Sequence, residues 1–140
     1  MADIPWLIGK ACSRVWEHYP HNFSFRFDDG TLAVDCLWRI VGDERLIRTS
    51  QDHGQQFGLP ARIDAYAEAE SILRGRSITS ATIRKDTADL VLTFDGGYQL
   101  EIFADSSGYE PWNFTAPGIH LIAIGGGGIS NFSSKSSGGL

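Results

Sequence analysis

Residues 90–103 limit the fold more than any other part of the chain. Leu90, Leu92 and Phe94 alternate with Val91 and Thr93, which is the period of a half-buried strand. Asp95-Gly96-Gly97 follows, and its two glycines supply the positive φ that a tight hairpin turn needs. Tyr98, Leu100 and Ile102 then alternate with Gln99, Glu101 and Phe103, so the chain returns as a second strand. A loop carrying Asp105, Tyr109, Glu110 and Trp112 comes next, and then a closing strand. The remaining segments read as support for this unit.

The first half carries further strands. Trp6, Leu7 and Ile8 sit in a lead-in arm expected to pack on the body. Residues 11–17 read as a strand with Cys12, Arg14 and Trp16 on one face and Ser13, Val15 and Glu17 on the other; a helical turn is the alternative there. His18-Tyr19-Pro20-His21 breaks it. Phe23, Phe25 and Phe27 then share one face, Asp28-Asp29-Gly30 turns the chain, and residues 31–40 return as one strand. Gly42-Asp43 marks another turn before a short strand over 44–49. Phe27-Asp28-Asp29-Gly30 matches Phe94-Asp95-Gly96-Gly97, which reads either as a weak repeat of two β-meanders or as the ordinary likeness of two hairpins.

Residues 50–59 are polar and predict a loop. Pro60 suits the first position of a helix, and Ile63, Tyr66, Glu70 and Leu73 fall near one helical stripe. Gly75 suits the stop, with Arg74 in the last turn. The spacing therefore predicts one helix over 60–74, covering the apolar face of the sheet. Residues 77–85 alternate as a strand, with Ile78, Ser80, Thr82 and Arg84 opposite Thr79, Ala81 and Ile83. Residues 119–124 are apolar at nearly every position, as expected of a strand buried on both faces. Beyond Gly128, the Ser- and Gly-rich residues 129–140 read as a mobile tail.

A chain of 140 residues, 42% hydrophobic, suits one domain with its own core, placed at 1–128. The formal net charge of −5 disfavours a nucleic-acid partner and favours a basic protein. Cys12 and Cys36 read as reduced core thiols. No run is apolar enough to cross a bilayer, and Asp3 and Pro5 stand where a secretory signal would need a basic start and an apolar run. The expectation is a soluble cytoplasmic protein whose exposed sheet edges would support a homodimer.

The loop over 105–112 is the strongest candidate binding site. Loops held by a rigid sheet concentrate recognition, and Asp105, Tyr109, Glu110 and Trp112 could grip an arginine or lysine of a partner. Each also has an ordinary role open to it, with the aromatics on the core edge and Glu110 capping a strand or pairing with an arginine. Asp28 and Asp29 are secondary contacts, although aspartates at turns serve the backbone first. Glu17, His18 and His21 offer metal donors, yet two histidines around a Tyr-Pro turn do not converge, so no metal or cofactor is expected. There is no G-x-S-x-G elbow, and no helix follows Gly125-Gly126-Gly127-Gly128 to make a phosphate cradle. No catalytic residue is assigned.

From Leu73 onward, Leu73 and Gly75, then Phe94 to Gly97, then Tyr109, Glu110 and Trp112 resemble a group of small bacterial proteins of unknown function. Their shared pattern is an F-x-x-G hairpin followed by Y-E-x-W. Some members look like immunity proteins, which neutralise a toxin by binding it, and the resemblance implies that class here. It supplies no catalytic residues. The expectation is thus an α+β domain, mainly antiparallel β, as a twisted sheet, half-barrel or sandwich of two β-meanders with one helix. Its expected function is non-enzymatic binding of a basic toxin. The alternative is a small-ligand binder or enzyme with a pocket between sheet and helix, lined by Trp16, Trp38 and Tyr66.

Overall fold

The computed structural model describes residues 2–132. They form β1 (Ala2–Asp3), β2 (Cys12–Trp16), β3 (Phe23–Phe27), β4 (Gly30–Val34), β5 (Leu37–Gly42), β6 (Arg45–Thr49), α1 (Ala65–Leu73), β7 (Ile78–Ile83), β8 (Leu90–Phe94), β9 (Gln99–Phe103), β10 (Trp112–Ala116), β11 (Ile119–Ala123) and β12 (Ile129–Phe132). The strands make two six-stranded antiparallel sheets, ordered β1-β7-β8-β9-β5-β6 and β12-β11-β10-β4-β3-β2. The architecture is α+β and mainly antiparallel, as the alternation predicts. No helix among the described residues is long and apolar enough to cross a membrane.

The hairpin that anchors the sequence reading is β8–β9, with Leu90 opposite Ile102 and Leu92 opposite Leu100. Gly96 and Gly97 turn it at φ 81° and 82°, a region closed to most side chains. The matching hairpin β3–β4 lies in the other sheet, so the two Phe-Asp tetrapeptides meet across the core: Phe27 stacks on Phe94 with ring centroids 6.0 Å apart. Phe23 and Phe25 stand edge-on to Trp38 at 5.0 and 5.7 Å. Burying each such ring contributes about 2–3 kcal/mol, and these rings join the sheets.

Several expectations change. Residues 31–40 are not one strand: the chain leaves the second sheet at Val34, bends at Asp35-Cys36, and enters the first at Leu37. The Asp35 N–H bonds the Pro111 carbonyl at 2.8 Å, which continues the β4–β10 register by one pair, and the chain leaves that sheet only after it. In β2 a bulge between Cys12 and Arg14 shifts the period, so Cys12 and Val15 are buried while Arg14 is exposed. A second bulge between Ile78 and Ser80 does the same to β7, burying Ile78 together with Ala81 and Ile83. β11 is buried only at Leu121 and Ala123, because its outer face is open.

The helix is shorter than 60–74. The Ile63 N–H bonds the Gln55 carbonyl at 2.7 Å and the Gly54 N–H bonds the Ile63 carbonyl at 2.9 Å, so the backbone before Asp64 is already committed to the preceding loop. Asp64 then caps α1, accepting from the Ala67 N–H at 3.1 Å. Ala65, Ala69 and Leu73 form the buried stripe. Instead of lying on a sheet face, α1 packs between an edge of each sheet: Glu70 accepts the β2 Val15 N–H at 2.9 Å, and Glu68 pairs with Arg48 of β6 at 2.7 Å.

The boundary at 128 also moves. Ile129–Phe132 pairs with β11 and adds an edge strand, because the glycine stretch is a hairpin turn closed by the Ile124 N–H to the Gly128 carbonyl at 2.9 Å. The rest of the expected tail, 133–140, lies outside the described residues.

Candidate functional site: an acidic groove where the chain crosses between sheets

Besides the passage from β1 to β2, the chain crosses between the sheets at two neighbouring places, from β4 to β5 through Asp35-Cys36 and from β9 to β10 through residues 104–111. The two crossings touch. Asp35 N–H bonds the Pro111 carbonyl, and the Leu37 N–H reaches Asp105 Oδ2 at 3.3 Å. Around them lie two adjoining depressions. The inner one, of about 370 Å³, is lined by Glu17, His21, Phe23, Asp35, Cys36, Leu37, Ser50, Gln51, His53, Tyr66 and Asp105. The outer one, of about 540 Å³, is lined by Asp35, Asp105, Ser106, Gly108, Tyr109 and Glu110. Asp35 and Asp105 belong to both and make them one groove.

Neutral donors hold the carboxylates. Asn22, fully buried, donates from Nδ2 to Asp35 Oδ1 at 2.9 Å, and the Tyr19 hydroxyl makes a short hydrogen bond to Asp35 Oδ2. Asn22 is fixed in turn by the Ser24 hydroxyl at 2.7 Å and the His18 N–H at 3.3 Å, both on its Oδ1. The Tyr66 hydroxyl donates to the Asn22 carbonyl at 2.7 Å and lies 3.2 Å from Glu17 Oε2. Ser106 Oγ accepts the N–H groups of Gly108 and Tyr109 at 3.1 and 3.0 Å, which shapes the loop tip. A Cβ on Gly125 would lie 2.5 Å from the Gly108 carbonyl carbon, so the glycine turn braces this wall backbone to backbone.

Burial, and then the Asp35 carboxylate, push the Tyr19 hydroxyl up to about 12. Burial and Glu17 push Tyr66 higher still. The Cys36 thiol is raised by burial and by Asp105, Asp35 and Asp89, so it stays protonated and is no ready nucleophile. The groove thus presents carboxylates beside neutral hydroxyls and aromatic faces. No Lys or Arg lines either depression, while Lys10, Arg39, Arg48, Arg74 and Arg84 pair with acids elsewhere. Such a surface attracts positive charge. Among the described residues no three His, Cys, Asp or Glu side chains gather as a metal site.

The four residues singled out in the loop separate into two groups. Asp105, Tyr109 and Glu110 line the groove, and Tyr109 is 82% exposed. Trp112 does not join them: it is 1% exposed, and its Nε1 donates to the Ala88 carbonyl at 2.8 Å, because position 112 begins β10 and points into the core. Asp28 and Asp29 sit at the far end of the β3–β4 hairpin, where Asp28 accepts the Ala11 N–H and Asp29 pairs with Lys10. Of the aromatics expected in a pocket, only Tyr66 lines it. Trp38 is buried, and Trp16 lies under the Arg14 guanidinium at 4.7 Å. Tyr19, Asn22 and Asp35 were not legible, since their roles depend on segments that meet only in the fold. No family model, curated protein or solved structure matches this chain.

Proposed function

We propose that this chain is a binding protein that takes a lysine or arginine of a basic protein partner into the groove. The observation that carries the reading is the continuous acidic lining, with Glu17, Asp35, Asp105 and Glu110 facing two joined depressions that contain no basic side chain. Tyr109, exposed at the rim, supplies an aromatic face for a cation and apolar area for the partner around it. In its most concrete form the protein is an immunity-type inhibitor that occludes a basic toxin, as are some look-alikes in the group of unknown function that the Phe94–Gly97 and Tyr109-Glu110-x-Trp112 pattern resembles. A second reading, a small cationic ligand, draws on the inner depression, whose volume of about 370 Å³ falls in the range of small-molecule sites.

The test is capture on the immobilised protein at low and moderate salt, compared with Asp35→Asn/Asp105→Asn and with Tyr109→Ala. A basic protein retained by the wild type, released by salt, and lost by the double variant while circular dichroism stays native supports the partner reading. Equal retention by the double variant overturns it. Retention of nothing, with spermidine or free arginine bound in calorimetry, favours the small ligand.

A further inference from the structure

His53 stands where the groove meets the start of α1. Its ring lines the inner depression, packs edge-on against Tyr66 at 4.9 Å, and lies 6.1 Å from Phe23. Its Nδ1 accepts the Ala65 N–H at 3.1 Å. That donor belongs to the first residue of α1, which has no acceptor within the helix, and Ala65 is fully buried, so water does not replace the imidazole. An accepting Nδ1 carries no proton, which puts the neutral ring's proton on Nε2. The position is rigid. A capping box between Thr49 and Asp52 fixes the turn before it, and the Gly54–Ile63 and Gln55–Ile63 backbone bonds tie the loop after it to the helix approach.

We propose that His53 is a proton-operated latch on the groove. Neutral, it holds the first turn of α1. Protonated, it has no lone pair for Ala65, leaves that buried N–H unpaired, and places a positive charge beside the helix start and in the groove wall. Tyr66, one residue along, shares the movement and carries its bonds to Asn22 and Glu17 with it. The groups on the elements that meet at the ring are Asp52 in its own turn, Asp64, Tyr66 and Glu68 on the helix side with Glu68 paired to Arg48 of β6, Glu17 and His21 on the β2–β3 turn, and Asp35, Cys36 and Asp105 across the groove. Cation binding and His53 protonation then compete for the same carboxylates, and each weakens the other by the same factor. This ligand half rests on the cation-binding reading, whereas the latch itself rests on the His53–Ala65 bond.

The experiment is an NMR titration of ¹⁵N-labelled protein from about pH 8 to about pH 5.5, across the ordinary histidine range. It follows His53 Nδ1 and Nε2 and the Ala65 amide, with and without an oligo-arginine peptide. The latch predicts that the Ala65 amide loses its exchange protection in step with His53 protonation. It also predicts that peptide affinity falls about tenfold over that range. His53→Gln offers an acceptor that does not titrate, and there the fall shrinks to about threefold or less. An Ala65 amide that ignores the His53 titration overturns the latch. A His53→Gln protein that keeps the whole pH effect on peptide affinity overturns the coupling. Ala65 tracking His53 while the peptide binds at no pH upholds the latch and overturns the cation reading. Peptide binding that is the same at both ends of the range upholds that reading and overturns the coupling.

Discussion

Trp38 and Trp112 are both fully buried, at 0% and 1% exposure, yet they differ in one bond. Trp112 Nε1 donates to the Ala88 carbonyl at 2.8 Å, whereas Trp38 Nε1 is buried with no hydrogen-bond partner among the described residues. Replacing each by Phe removes a similar volume of ring from the same core, so cavity and transfer costs of about 1–3 kcal/mol apply to both and cancel to first order. What remains is the polar difference. Trp112→Phe strips the partner from a buried carbonyl, a loss of about 1–3 kcal/mol, whereas Trp38→Phe removes an N–H already desolvated without compensation. Trp112→Phe is therefore the more destabilising by about 2 kcal/mol. With a urea slope of about 1–3 kcal/mol/M, the two midpoints should differ by roughly 1 M. Urea unfolding followed by far-ultraviolet circular dichroism measures this. Equal midpoints at equal slopes, or Trp38→Phe the weaker protein, would refute the assignment of Trp112 to a hydrogen-bonded core position.

Three further outcomes follow from the geometry. Glu70→Ala frees the Val15 N–H on the β2 edge and should cost about 1–3 kcal/mol and promote strand-edge association; Glu70→Gln, which keeps an acceptor, should restore most of it in unfolding and light-scattering assays. Burial holds the Cys12 thiol at about 12, against an ordinary 9.0. The folded state therefore favours the neutral thiol: its contribution is complete below pH 9.0 and is lost as pH rises toward 12, by up to about 1.4 kcal/mol per pH unit. Urea midpoints should thus fall above pH 9.0, and Cys12→Ala should flatten the decline. Tyr109→Ala, at an 82% exposed rim position, should leave the unfolding midpoint within about 0.5 kcal/mol of wild type while weakening partner capture.

Local chemistry in this chain is legible wherever the physics is local. The Asp95-Gly96-Gly97 turn needs positive φ, only glycine supplies it freely, and the hairpin lies where the letters place it. Phe23, Phe25 and Phe27 alternate and are all buried. The failures occur where a neighbour decides. Bulges at Cys12/Arg14 and Ile78/Ser80 insert a residue without changing composition, so alternation counted across them assigns faces wrongly. Asp35 falls on the polar side of a regular alternating run, and nothing within residues 31–40 announces that the chain leaves one sheet after it and enters the other at Leu37. The groove is less legible still. Its walls come from residues 17–23, 35–37, 50–53, 66 and 105–110, and no spacing rule links segments so far apart. Tyr109 and Trp112 show the limit at closest range: three residues apart in one motif, one stands in water and the other lies in the core.

The double crossing beside the groove also has a mechanical side. Asp35 and Asp105 sit on two neighbouring connectors that carry the chain from sheet to sheet, and Tyr66 and His53 fasten the helix approach to the same spot. A guest lodged there is a splint across the join: it grips both connectors and the helix start at once, and they cannot part without expelling it. Occupancy should therefore register as resistance to whole-molecule unfolding, worth about 2.7 kcal/mol at a hundredfold excess over Kd. A melting scan can thus report the arrival of a guest before its chemistry is known.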